Sequence, residues 1–549
     1  MSEGPNRRDT FKTAGRVLAG SCLNNDASAA SVMDATVSEH GAVVAARAAT
    51  SARAGHTVLE KGGNAVDAAV AAALCAAVVE PASCGIAGYG AHLTIALADG
   101  TVTCIDANSA APQAARPNMF EADASAQVRQ RANYHGWMAA GVPGTLAGLQ
   151  LALDRYGTKD FGDVAAPAIR FAKDGVTVNE RVADSFVLAP PQLYQDPASK
   201  RIYSKSDQPL KVGDTFRNPE LAALLERLAE RGTVDSFYRG DFGQQIAAEF
   251  QKHGGLVTAE DLAGYEAQEV KPVGIAWGDY SIHTAPLTAG GISTLQALLI
   301  LKAVEWEQLP EANQKHHAAL ESLRLAWRDR FRYFGDPKHV EVPTARLLSD
   351  DYVEQLGRQV KQAVSDRSAI QLELASYEQD GTVHISAGDA HGNLVALTLT
   401  HGAGFGACVT VDGLGLTLGH GISRFDPRAG YANSIGPGKR PLNNMTPTIV
   451  LRQGRPVLAV GGRGGRRIPN ALLAAVLQFV SGDPSARLSI DAPRIHTEGS
   501  RKIMLDHSWS SQEAAYFNEL GFEVTRGQVA YLSAVAFDPL KARVEAACG

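Results

Sequence analysis

The stretch Ala65–Val79 reads as a helix built almost wholly from alanine, valine and leucine. A helix without a polar face must be covered on all sides, as happens in the centre of a layered sandwich. Just before it, Gly62-Gly63-Asn64 supplies a glycine stop for a preceding helix. Asp67 interrupts the apolar run, and a cap or a buried hydrogen-bond acceptor describes it better than a catalytic role.

Composition agrees with a large layered protein. The chain has 549 residues, enough for two or three ordinary domains or one large layered one. Hydrophobic residues make up 45% and charged residues 20%. A formal charge of -6 argues against a nucleic-acid footprint. No stretch approaches the length of a membrane span. The six cysteines have neither CxxC spacing nor regular pairing, so buried thiols are expected rather than a disulfide framework or a metal site. Asn6-Arg7-Arg8 resembles a weak twin-arginine export signal, but Arg16 breaks the short apolar run after it. Residues 1–38 therefore read as a disordered leader of a cytoplasmic protein, with periplasmic export as the alternative.

Periodicity places the elements. Residues 90–107 alternate as a strand pair around Ala98-Asp99-Gly100. Amphipathic helices are predicted at 146–156, 220–231, 242–253, 292–306 and 317–334. The stretch 360–381 is polar and reads as an accessible linker. Beyond it, 384–387 and 394–400 form a hairpin across Asp389-Ala390-His391-Gly392-Asn393, and 445–461 supplies two more strands. A helix over 468–481 follows the turn Gly461-Gly462-Arg463-Gly464-Gly465-Arg466-Arg467.

Two features carry chemistry. In Asp380-Gly381-Thr382-Val383-His384 a threonine follows the linker. A threonine hydroxyl needs a base, and cleavage before Thr382 would free its own α-amino group to serve as one. That amine has a reference pKa of roughly 7.7–8.0, so a useful fraction is neutral near physiological pH. The glycine turn can aim backbone N–H groups at one spot beside a helix N-terminus. This suits an oxyanion, a phosphate, or a tight turn without a ligand.

The order of motifs then resembles the γ-glutamyltranspeptidase family. Gly62-Gly63-Asn64-Ala65-Val66-Asp67, Glu80-Pro81, Gly141-Val142-Pro143-Gly144, Phe237-Tyr238-Arg239-Gly240 and Asp261-Leu262-Ala263-Gly264-Tyr265 fall in the family's sequence. So do Asp329-Arg330, Thr382-Val383-His384, Gly436-Pro437-Gly438-Lys439-Arg440-Pro441 and Gly464-Gly465. The resemblance implies an α+β fold, the four-layer αββα sandwich of the N-terminal-nucleophile hydrolases. It implies self-cleavage between Gly381 and Thr382 into a large subunit, 39–381, and a small one, 382–549, with a dimer of such heterodimers possible. Thr382 falls on the nucleophile, Thr400 on the threonine that orients its amine, and Gly464 and Gly465 on the oxyanion donors. The covalent route implies no cofactor and no metal.

The recognition residues depart from the family. Its arginine for the substrate α-carboxylate is Asn108 here, and its acidic partner for the α-ammonium is Arg424, in His420-Gly421-Ile422-Ser423-Arg424. The asparagine two after the second threonine is Gly402, and the paired serines are Asn443 and Asn444. An ammonium facing Arg424 at about 4 Å and effective dielectric 20 would be repelled by roughly 4 kcal/mol. With His420, Asn108, Asn443 and Asn444 around it, Arg424 instead suits a carboxylate. The expected function is hydrolysis of a small carboxylate-bearing amide, as in oxamate amidohydrolases. A γ-glutamyltransferase with a rebuilt clamp, a cephalosporin-type acylase and an unprocessed binding protein are the alternatives. The segment 426–435 is shorter than some relatives' lids, which predicts an open pocket. The end at Cys548-Gly549 differs from the family's closing Asp-Pro-Arg.

Overall fold

The computed structural model describes residues 35–45, 48–123, 126–372 and 382–549. Two antiparallel sheets stack face to face. The first runs, in spatial order, Ala35–Ser38, Gly41–Val44, Val383–Asp389, Leu394–Thr400, Gly90–Ala96, Val102–Asn108 and Gln268–Val270. The second runs Val273–Trp277, Tyr280–Thr284, Thr448–Arg452, Arg455–Arg463, Tyr531–Asp538 and Arg543–Cys548.

Strand alternation sorts side chains into three layers of core. Ala42, Val44, Leu394 and Ala396 face Ile449, Ala459, Val535 and Ala546 between the sheets. Their in-between neighbours Val43, Val395 and Leu397 point the other way, onto the helices Ala49–Glu60 and Ala65–Val79. On the far side Val450, Leu458 and Val460 bury against Gly291–Val304, Ala312–Tyr333, Asp350–Ser365 and Arg467–Ser481. The expected αββα sandwich is what the chain forms.

Every residue of Ala65–Val79 is buried, as its composition demanded. Asp67 closes a capping box with Asn64 and also accepts from Thr158 and Lys159 backbone N–H groups. It is structural. Asp389, in the hairpin of the first sheet, accepts from Ala65 N at 3.0 Å and so ties the central strands to this helix.

Three expectations need correction. The leader was drawn to residue 38, yet Ala35–Ser38 is an edge strand in register with Gly41–Val44, where backbone pairing outweighs weak local propensity. The linker was begun at 360, but the helix Asp350–Ser365 continues through it because Val360, Ala363 and Val364 complete an apolar face. Residues 373–381, including Gly381, lie outside the described residues. Buried thiols hold for Cys75, Cys84, Cys104 and Cys408, but Cys548 is disulfide-bonded. The last strand is fully docked, with Gly549 and Leu532 exchanging backbone hydrogen bonds. Among the described residues no helix is long and apolar enough to cross a membrane.

Candidate active site

The two central strands of the first sheet bring the threonines together. Their register pairs Val383 with Leu399, so one step outward sets Thr382 opposite Thr400. Thr382 is buried, and its Oγ1 donates to Thr400 Oγ1 at 3.5 Å, a long contact. Thr400 Oγ1 also accepts from Gly402 N at 2.8 Å, which fixes the hydroxyl's direction.

The glycine turn reaches the same end of the sandwich through the second sheet. Gly388 packs on Val535, which pairs with Ala459, while the His384 ring fills the space above Gly461. The strand Arg455–Arg463 therefore runs antiparallel to Val383–Asp389, and its continuation leads toward Thr382. Gly461 cannot carry a side chain, because a Cβ there would meet the His384 ring at 2.1 Å. Gly464 and Gly465 take φ of 138° and 61°, a left-handed pair that opens the helix Arg467–Ser481. This geometry matches an N–H cradle at a helix start.

No side-chain base of useful strength appears beside these groups among the described residues. Burial pushes His384 and His401 down to about 3, and both stay neutral across the working range. His384 is instead braced by Thr398 Oγ1 at 2.7 Å and Ser386 Oγ at 3.1 Å.

A cavity of about 120 Å³ is walled by Arg424, Arg330 and Arg466, with neither threonine in its lining. Arg424 lines one part of it, and Arg466, which follows the Gly464-Gly465 pair in sequence, lines another. Arg424 is 8% exposed; its Nη2 donates to His420 Nε2 at 3.2 Å and its guanidinium sits 5.5 Å from the Tyr89 ring. His420 accepts because burial, then the Arg424 charge, holds it well below its ordinary pKa. Gly402 makes this possible. With φ 102°, it leaves space where a Cβ would meet the His420 ring at 2.2 Å and Arg424 Nη2 at 2.8 Å.

The other expected recognition residues divide. Asn444 lines the cavity. Asn108 and Asn443 do not: Asn108 Nδ2 donates to Thr288 Oγ1 and Pro441 O, both at 2.6 Å, and Asn443 Nδ2 meets His92 Nε2 at 2.8 Å. The Nδ2 groups of both are spent on holding the loops behind the wall. The segment 426–435 is not an open gap. Asp426 pairs with Arg428, Ser434 Oγ donates to Arg428 O, and Lys439 Nζ donates to Ala432 O and Ser434 O. It folds into a small rim with Tyr431 at the mouth.

Sequence reading missed the opposite wall. Trp327, Arg330 and Phe331 project from one face of the helix Ala312–Tyr333. The Asp329-Arg330 motif was the available signal.

The profile described as gamma-glutamyltranspeptidase matches residues 51–548. The chain belongs to the gamma-glutamyltranspeptidase family. A glutathione hydrolase proenzyme of Escherichia coli strain K12 is 36% identical over 469 residues, covering 83% of this chain and 80% of its own. An acylase ACY 1 proenzyme of Pseudomonas sp. strain SE83 is 32% identical, covering 90% and 89%. In structure, a cephalosporin acylase from Bacillus halodurans superposes with TM-score 0.83 over 97% of both chains at 24% identity, a likeness of fold. The gamma-glutamyltranspeptidase of Helicobacter pylori gives TM-score 0.53 at 33% identity over 57% of this chain and 89% of that one. This family member is accordingly an enzyme of the N-terminal-nucleophile hydrolase class.

Proposed function

We propose that the precursor cleaves itself between Gly381 and Thr382 and that the product hydrolyses amides of a small carboxylate-bearing acyl group. The chemistry runs on Thr382. Its freed amine takes the proton from Oγ1 as the hydroxyl attacks the amide carbonyl. The N–H groups of Gly464 and Gly465 receive the oxyanion, a contribution of about 3 kcal/mol each. Collapse expels the amine with that proton and leaves an ester on Oγ1. Water then attacks the ester, the Thr382 α-amine takes its proton and returns it to Oγ1 as the C–Oγ1 bond breaks, and the acid leaves. Thr400, held by Gly402 N, positions the nucleophile.

Specificity is carried by one observation: Arg424 faces the cavity in the space that Gly402 vacates. A guanidinium oriented by a neutral histidine is a forked donor suited to a carboxylate. The cavity's size suits an oxamate-like acyl group. The one precursor would supply both subunits, 39–381 and 382–549, and a dimer of these heterodimers is consistent with the reading.

Two measurements test it. Amino-terminal sequencing of active protein should find a chain beginning at Thr382. A single band near 57.9 kDa would instead favour an unprocessed binding protein. Turnover of oxamate, a γ-glutamyl anilide and an aromatic acyl amide should rank oxamate first. Preference for the glutamyl compound would point to a rebuilt glutamyl clamp, and preference for the aromatic amide to an acylase.

A further inference from the structure

Arg330 enters the cavity from the helix Ala312–Tyr333 and is 4% exposed. Its Nη2 donates to Asn443 O at 2.6 Å and to Asn444 Oδ1 at 3.2 Å. Its Nη1 is buried without a hydrogen-bond partner. Among the described residues no carboxylate lies within ion-pair reach of this guanidinium. Asp329 is committed to Arg328, Gln296 and Tyr352. Glu498 is felt only through space and is engaged by Arg466 at 2.6 Å.

A buried cation without a counter-ion costs several kcal/mol. Burial, with Arg466 nearby, drags the Arg330 pKa down to about 9. Bracing the Asn443 carbonyl takes one nitrogen, and a neutral donor would do it at lower cost. The remaining donor is explained if an anion arrives with the substrate. Arg424 lines the same cavity as Arg330.

We infer that Arg330 is a second anion-binding residue of the acyl pocket, so that the substrate presents carboxylate oxygens to two guanidinium groups, Arg330 and Arg424, rather than to one. This deepens the amidohydrolase reading and rests on the cavity being its acyl pocket. One carboxylate shared between the arginines and two carboxylates held separately present the same chemistry.

Titration calorimetry on the purified protein as isolated tests it with succinate, succinamate and succinamide, which carry two, one and no carboxylates. Wild type should bind succinate at least about tenfold more tightly than succinamide, and Arg330→Gln should erase about tenfold for succinate while leaving succinamide unchanged. Arg330→Lys keeps the charge without the fork and should lose about threefold on succinate alone. Succinamate matching succinate indicates one shared carboxylate, and a further step between them indicates two. Equal wild-type affinity for all three probes, or equal losses for all three in Arg330→Gln, overturns the inference. Should Arg330→Gln yield no folded enzyme, Arg330→Lys decides, and unchanged or uniformly changed binding overturns it. The titrations need no turnover, so they stand apart from a failure to find an amino-terminal Thr382.

Discussion

The proposed reaction centre and the proposed recognition wall of this enzyme are built in different ways. Thr382 and Thr400 stand at the ends of paired central strands, and Gly464 and Gly465 follow a strand of the facing sheet. Arg424, His420 and Gly402 sit on loops and a short turn, braced by one another rather than by a ladder. A strand pair cannot shift by one residue without turning its core face to the wrong side. Loops carry no such penalty, so they can be rewritten while the chemistry stays. Arg424 and His420 occupy the volume that a side chain at 402 would fill.

The comparison breaks most visibly at Thr382. Thr382→Ala should leave one unprocessed band near 57.9 kDa on a denaturing gel and lower turnover by at least about a thousandfold. Two bands and retained activity would remove the reaction centre as described. Gly464→Ala comes next. Its φ of 138° and a Cβ only 2.9 Å from Ala530 Cα would displace the turn, lowering kcat by about a hundredfold or more. A matching rise in KM with unchanged kcat would instead place the turn on the recognition side.

Arg424→Gln tests the wall in isolation. It should raise KM for a carboxylate-bearing acyl amide by about thirtyfold and leave processing intact. Loss of processing would show that wall and centre are not separable. The buried histidines give a smaller, pH-dependent signature of the centre. His384 and His401 titrate at about 3 when folded, against an ordinary value of 6.5. Above 6.5 both states hold them neutral and their contribution is complete. Below it the unfolded chain takes up protons that the folded one refuses, so stability falls with pH down to about 3. Denaturant titrations from pH 6.5 to 5.5 should show a loss of about 1 kcal/mol for each histidine. A flat profile would mean that these rings are not held in a dry interior. Least of all, Tyr431→Ala at the exposed rim should change KM by about two- to threefold and kcat not at all.

Much of this was legible before any coordinates. The all-apolar run at Ala65–Val79 demanded a covered helix, and the hairpin after Thr382 and the strand–turn–helix around Gly464 follow from alternation and glycine placement. The legibility ended where partners come from far along the chain. Asn108 and Asn443 looked equivalent to Asn444 as polar replacements, yet their amides are consumed by Thr288, Pro441 and His92. Arg330 was visible only as half of a motif, because a cation's want of a counter-ion cannot be read from its neighbours in sequence.

Local order was thus decided by the residues themselves, since periodicity decides which face is buried, and the proposed chemistry asks of Thr382 only its own amine. Which guanidinium faces the cavity, which asparagine is free to meet a ligand, and which charge stays uncompensated were decided by tertiary packing. Burial and hydrogen-bond satisfaction depend on groups hundreds of positions apart, and only folding brings them within reach.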